Sequence, residues 1–183
     1  MSDNINLLAG RVFHVFNRGN SRRDIFVEDQ NYSFFFLKMQ RQLTPVAKLL
    51  AYCLMPNHFH MLLIPLGDIR DEYLLDGEVK DFMPTTELAE AMKRLQMGYT
   101  KSVNQFYGLS GSLFQQHAKS NWHGNGIEQG LDYLHNNPNK AGLVDHPSEW
   151  GFSSYNEYSG LIPEQECVSD VALGRKLLEL DKK

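Results

Sequence analysis

The pattern of apolar and polar residues along the chain predicts an alternation of strands and helices. Residues 11–18 are rich in β-branched and aromatic side chains and stop at a Gly-Asn pair, which predicts a first strand. Apolar residues at helical spacing predict a helix over residues 29–43. Apolar runs over 47–55 and 58–65, joined by a Pro56-Asn57 turn, predict an antiparallel hairpin.

The second half of the chain continues this alternation. A helix is predicted to open at Thr85-Thr86-Glu87 and to end at Gly108, and residues 112–120 are predicted as a fourth strand. Residues 126–136 predict a short helix that Pro138 ends, because proline disfavours helical backbone at the residue before it. The hairpin excludes an all-parallel sheet. The order therefore predicts an α+β fold, an antiparallel sheet with helices packed on one or both faces.

The length of 183 residues suits one domain of ordinary size. We assign residues 1–155 to this domain, with an acidic insertion at 66–83, and residues 156–183 to a C-terminal tail with a helix-like stretch at 168–180. The two cysteines indicate no disulfide framework, the N-terminus does not resemble a signal peptide, and no apolar run is long enough for a membrane. These features predict a cytoplasmic protein without a membrane partner.

The formal net charge is −4, but the charges are unevenly distributed. Residues 11–48 contain seven basic and three acidic residues, and residues 84–120 contain four basic and two acidic residues. The excess of acid lies at 66–83 and from residue 145 onward. This distribution is compatible with a basic face that binds nucleic acid, and it also occurs by chance in many soluble proteins.

The candidate chemistry begins with His58-Phe59-His60 in the predicted hairpin. Residues i and i+2 of a strand point to the same face, so both imidazoles project together and Phe59 projects to the opposite face. Two neutral imidazoles side by side can bind a metal ion. The alternative is a pair of buried histidines, each hydrogen-bonded to backbone, and this short pattern alone does not exclude it.

Tyr133 and Asn137 form a second candidate pair. They stand four residues apart, and on a helix side chains at that spacing share one face. A phenol and a carboxamide there could serve as a nucleophile and a metal ligand. The alternative is a tyrosine that packs the helix on the sheet and an asparagine that caps the helix before Pro138.

Several segments together carry a resemblance to a known family. Residues 52–63 (YCLMPNHFHMLL) resemble the metal-binding hairpin of the insertion-sequence-200-like transposases, the single-tyrosine members of the HUH nuclease superfamily. Residues 133–144 (YLHNNPNKAGLV) resemble the tyrosine helix of the REP-associated tyrosine transposase branch. Further pieces of that branch occur in order: HVFNRGN at 14–20, MKRLQ at 92–96 with Tyr99, GSLFQ at 111–115, and WGFSSY at 150–155.

The resemblance implies a ferredoxin-like sheet, the HUH nuclease fold, and an enzyme that cleaves and rejoins single-stranded or hairpin DNA through a phosphotyrosine intermediate. His58 and His60 match the metal ligands, Asn137 the third ligand, and Tyr133 the nucleophile. Their imidazole and amide donors favour Mg²⁺ or Mn²⁺. The basic residues predicted to contact DNA are Arg18, Arg22, Lys93, Arg94 and Lys119. In some relatives the tyrosine comes from the partner subunit of a homodimer, and in others one chain holds the whole site.

Residues 116–119 are less basic than the family pattern and the insertion at 66–83 is longer, which bears on DNA contacts more than on the chemistry. Two other functions stay open. One is a DNA-binding descendant that no longer cuts. The other is a zinc hydrolase that uses His58 and His60, which leaves Tyr133 and Asn137 unexplained.

Overall fold

Four antiparallel strands form one sheet at the centre of the fold. The computed structural model describes residues 11–69, 80, 82–122 and 126–181. The strands are β1 (Phe13–Arg18), β2 (Ala47–Met55), β3 (His58–Pro65) and β4 (Lys119–Trp122), in the spatial order β2-β3-β1-β4. The β2–β3 hairpin turns at Pro56 and Asn57, and β3 pairs with β1 along the whole length of β1.

The helices complete a βαββαβ unit and extend it. Helix α1 (Asp29–Leu43) joins β1 to β2, and α2 (Thr86–Tyr107) joins β3 to β4. This connectivity with this strand order is ferredoxin-like. Within residues 126–181, three helices follow β4, namely α3 (Ile127–Lys140), the short α4 (Tyr155–Tyr158) and α5 (Val171–Asp181). Single 3₁₀ turns lie at Asn20–Arg22, Pro147–Glu149 and Glu164–Glu166.

Each face of the sheet buries its own apolar core. One face packs against α1 and α2, and its core includes Phe13, Val15, Phe35, Phe59, Met61 and Leu95. The other face packs against α3 and α5, and its core includes Leu50, Cys53, Leu62, Ile127, Leu134 and Leu177. Alternate strand residues therefore serve opposite layers, as period-two geometry requires. Both faces of the sheet are covered by helices.

The predicted bounds of α1, β2 and β3 are confirmed residue for residue. Helix α2 begins after Thr85, whose side chain accepts a hydrogen bond from the Leu88 N–H, and ends at Gly108, whose φ of 65° is left-handed. These are the N-cap and C-cap signals on which the prediction rested. Strand β1 begins two residues later than predicted, at Phe13.

The predicted end of α3 is wrong. The helix does not stop before Pro138 but includes it and runs to Lys140. Proline removes only one N–H, and here it lies in the last turn, where few backbone bonds follow. Two residues beyond Lys140, Gly142 adopts a left-handed φ of 69° that stops the helix, and the Leu143 N–H bonds to the Pro138 carbonyl. Asn137 is therefore inside the helix and is not its cap.

The predicted fourth strand over residues 112–120 is also largely wrong. Strand β4 spans Lys119–Trp122, and Phe114 makes only an isolated bridge to Gly19. The segment from Ser112 to Gln115 crosses the end of β1, where the Gln115 N–H bonds to the Arg18 carbonyl. Most of the predicted acidic insertion, residues 70–79 and 81, lies outside the described residues.

The C-terminal segment is fastened to β2 through a buried carboxylate. Glu157 is 2% exposed and accepts hydrogen bonds from the Tyr52 hydroxyl at 2.8 Å and from the Val168 and Ser169 N–H groups at 3.0 Å each. Helix α5 then packs beside α3. Among the helices that the structure describes, none combines the length and apolarity that crossing a membrane requires.

Candidate active site

The two histidines of the hairpin lie on the sheet face that α3 covers. His58 and His60 share the parity of the buried Leu62, whereas Phe59 points into the opposite core and is fully buried. This arrangement confirms that the imidazoles project to one side and Phe59 to the other. The ring centroids of His58 and His60 are 5.0 Å apart and the ring planes meet at 84°.

The surroundings of both imidazoles favour the neutral form. Burial lowers the pKa of His58, the nearby Arg18 charge lowers it further, and a hydrogen bond with Asn137 opposes these effects. Burial lowers the pKa of His60 well below its ordinary value, and His14 and His58 add to the effect. A neutral imidazole keeps one lone pair on a ring nitrogen, so each of the two histidines can donate electrons to an electrophile or a cation.

Tyr133 stands over this pair from α3. Its ring meets the His60 ring edge-on, with 5.3 Å between centroids and 84° between planes. Leu131 and Leu134 bury the inner face of α3, and Tyr133, at its margin, is 46% exposed. The ring therefore contacts the histidine on one side while part of the side chain is open to a substrate.

Asn137 follows Tyr133 by about one helical turn and reaches the same site. Its amide hydrogen-bonds to His58, and its Nδ2 is buried with no hydrogen-bond partner in the described part of the chain. This Nδ2 is a hydrogen-bond donor and suits an acceptor oxygen, whereas a cation would be bound through the Oδ1 of the same amide. Two neutral imidazoles and one amide are a donor set that a divalent cation accepts, so these residues fit a metal ion.

A zinc site fits less well. Within residues 11–69, 80, 82–122 and 126–181, no group of three His, Cys, Asp or Glu side chains is arranged to hold a metal. Structural and catalytic zinc sites take at least three such ligands. Coordination by three side chains at His58 and His60 therefore needs the Asn137 amide.

His14 is a site residue that sequence reasoning missed. It lies on β1, is 8% exposed, and its Nε2 is 2.8 Å from the Nδ1 of His60. The His14 and His60 rings stack at 5.0 Å, and the Tyr133 ring lies edge-on to His14 at 5.8 Å. A polar residue within an apolar strand was the available signal, but only the β1–β3 register reveals which histidine it meets.

Three of the basic residues predicted to contact DNA lie near this site. Arg18 stands opposite His58 in the β1–β3 register. Lys119 is the β4 neighbour of Phe16, which in turn faces His60, so Lys119 shares the site face. Arg22 is exposed in the turn after β1, and its carbonyl accepts a hydrogen bond from the Asn57 side chain.

The other two predicted DNA contacts lie elsewhere. Lys93 and Arg94 are exposed on α2, which covers the opposite face of the sheet. Arg94 bonds to the Gln42 side chain of α1 and lies 3.9 Å from Glu90. Lys93 lines an open groove of about 730 Å³ between α2 and residues 112–118. The structure therefore does not bring this pair to the histidines.

Comparison with solved structures finds a protein of similar fold. A similar structure is that of a REP-associated tyrosine transposase bound to a REP hairpin, which matches with a TM-score of 0.59 at 18% identity, covering 88% of this chain and 87% of that one. The two proteins share the fold described above, an antiparallel four-stranded sheet with helices packed on it. No family model and no curated protein matches the sequence. In this protein the β2–β3 hairpin carries the histidine pair, α3 carries the tyrosine, and both come from one chain.

Proposed function

We propose that the protein is a metal-dependent DNA transposase that cleaves and rejoins single-stranded or hairpin DNA through a covalent bond to Tyr133. The observation that carries the proposal is the edge-on contact of Tyr133 with His60 beside His58 and Asn137. The shared fold with a transposase bound to a REP hairpin supports it, and this likeness favours hairpin DNA as the substrate.

In this proposal His58, His60 and Asn137 hold one Mg²⁺ or Mn²⁺ ion. When bound, the ion neutralises charge on the phosphate and fixes it for in-line displacement. Burial lowers the pKa of both histidines, which favours the neutral imidazole with one lone pair for the ion. The partial exposure of Tyr133 lets a DNA strand approach from the open side of α3.

The reaction assigned to Tyr133 conserves the energy of the phosphodiester. The phenol oxygen forms a bond to phosphorus while the bond from phosphorus to one sugar oxygen breaks. The phenolic proton is released to solvent, and the departing sugar oxygen takes up a proton from solvent to leave as a hydroxyl. The reverse attack by a sugar hydroxyl restores a phosphodiester and frees the tyrosine, which suits strand transfer better than hydrolysis.

The basic residues would hold the flanking phosphates. Arg18 and Lys119 flank the histidines along β1 and β4, and Arg22 lies at the hairpin turn. Lys93 and Arg94 would contact DNA only where the strand passes around the sheet to α2. Because one chain supplies the tyrosine and both histidines, a monomer suffices for one site, and a homodimer with exchanged tyrosines is not required.

A DNA-binding descendant that no longer cuts is the second candidate, and the low sequence identity of 18% keeps it open. The test is a cleavage assay on labelled single-stranded and hairpin oligonucleotides with Mg²⁺ or Mn²⁺. Tyr133→Phe removes the nucleophile. Tyr107→Phe is the matched control, because Tyr107 lies on α2 and bonds to Glu28. A denaturant-resistant adduct that only Tyr133→Phe abolishes supports the transposase, whereas binding without cutting supports the descendant.

A further inference from the structure

A third histidine is built into the site beside the two predicted ones. His14 is buried on β1, and its Nε2 lies 2.8 Å from the Nδ1 of His60, which is hydrogen-bonding distance. The same ring stacks on Phe16 at 4.9 Å and touches the edge of Tyr133. These contacts fix the orientation of His14 between the histidine that faces α3 and the tyrosine above it.

One proton must lie between the two facing ring nitrogens. Either His60 donates from Nδ1 and His14 accepts at Nε2, or the roles are reversed. In the first arrangement the Nε2 of His60 keeps its lone pair. In the second, a neutral His60 carries its proton on Nε2, and neither of its nitrogens remains free for a cation.

The proposed cation distinguishes the two arrangements. The contact with His14 occupies the Nδ1 of His60, so Nε2 is the nitrogen left for a cation. Only the first arrangement leaves a lone pair there.

We infer that His14 is a positioning residue that holds His60 with its proton on Nδ1 and so leaves the Nε2 lone pair of His60 to a divalent cation. The choice of tautomer rests on the proposed function, and the tautomer itself can be measured in the metal-free protein. Histidines that bind metals are commonly fixed by a hydrogen bond from the second ring nitrogen, and loss of such a partner weakens binding by about 10–100-fold.

The test reads the tautomer directly. Long-range ¹H–¹⁵N spectra of labelled, metal-free protein at about pH 8 distinguish ring nitrogens with and without a proton. The His60 signals are assigned by their loss in His60→Gln. We expect the proton on Nδ1 in the wild type and in His14→Gln, whose amide oxygen replaces the accepting nitrogen. In His14→Phe the acceptor is gone, and we expect a mixture of tautomers.

Mn²⁺ titration gives the second readout. His14→Phe should bind Mn²⁺ about tenfold more weakly than the wild type, and His14→Gln should bind close to wild type. A proton on Nε2 of His60 in the wild type overturns the inference, as does an unchanged tautomer in a folded His14→Phe. If that variant does not fold, the wild-type tautomer alone decides. Because the spectra need neither DNA nor Tyr133, failure of the transposase proposal is separable from failure of this one.

Discussion

The Tyr133 ring meets the His60 ring of the same chain edge-on, with 5.3 Å between their centroids. The two residues come from α3 and β3, which the apolar core beneath α3 locks together through Leu62 and Leu134. Their separation is therefore set by packing between regular elements and not by a loop. A site held in this way is organised before any substrate arrives.

Asn137 is expected to contribute a ligand to the proposed metal site. Replacing it by alanine removes the amide beside His58 and should weaken Mn²⁺ binding about tenfold or more. Asn136→Ala is the control, because the Asn136 side chain bonds back to Asp132. Isothermal titration with Mn²⁺ measures both variants. Equal losses in the two, or none in either, would remove Asn137 from the ligand set.

Arg18 is expected to bind a phosphate next to His58. Arg18→Ala should weaken binding of a single-stranded oligonucleotide and reduce the slope of log affinity against log salt by about 0.7, the value for one phosphate contact. Arg41→Ala, on the exposed side of α1, should leave the slope unchanged. Fluorescence anisotropy over a range of salt concentrations measures both. A wild-type slope in Arg18→Ala contradicts the assignment.

The fold should lose stability in mild acid because of His135. Burial lowers the pKa of this histidine from 6.5 to about 4, an effect that the nearby Asp132 opposes. Its Nε2 faces the Ser154 hydroxyl at 2.9 Å, and its ring packs on Tyr155 and Tyr158. Between pH 6.5 and about 4 the unfolded chain binds a proton here and the folded chain does not.

As the pH falls through this window, the free energy of unfolding decreases by about 3 kcal/mol because of His135, and at higher pH it does not change on account of this residue. Urea unfolding at several pH values measures this effect. As the pH is lowered, the free energy of unfolding should fall less steeply for His135→Gln than for the wild type. His58 and His60 act in the same direction, so the difference between the two proteins, and not the slope of either, isolates His135. Parallel declines would show that His135 is not the group responsible.

The carboxylate of Glu157 should stabilise the docking of the C-terminal segment. Glu157→Gln keeps the size of the side chain but replaces one accepting oxygen with a donor, which then faces the Tyr52 hydroxyl or the Val168 and Ser169 N–H groups. We expect the free energy of unfolding to fall by about 2 kcal/mol. Glu166→Gln, at an exposed position in a 3₁₀ turn, should change it little. Equal stabilities would contradict this role.

Much of the fold was predictable because local signals agreed with the tertiary structure. The hairpin carries unbroken apolar runs around a Pro-Asn turn, and α2 carries a threonine N-cap and a glycine C-cap, so their predicted limits hold. Pro138 misled the prediction of α3, since a proline in the last turn is tolerated and Gly142 supplies the actual stop. Strand β4 has only four residues, and pairing with β1, not its own sequence, defines it.

The candidate site was likewise predictable only in part. The spacing of His58 and His60 fixes a common face from sequence alone, because strand geometry has a period of two. The approach of Tyr133 to that face needs the docking of α3, for which the family resemblance was the only guide. The contact of His14 with His60 depends on the register between β1 and β3, which no local pattern encodes. The predicted domain boundary at residue 155 stays a prediction.

The most direct test of the central claim is to locate the covalent bond. The protein is incubated with Mn²⁺ and the oligonucleotide pool, denatured and digested, and the peptides are analysed by mass spectrometry for a nucleotide adduct. We predict an adduct on the peptide that contains Tyr133, present in Tyr107→Phe and absent in Tyr133→Phe. Cleaved DNA without any protein adduct, or an adduct on another tyrosine, would contradict the account.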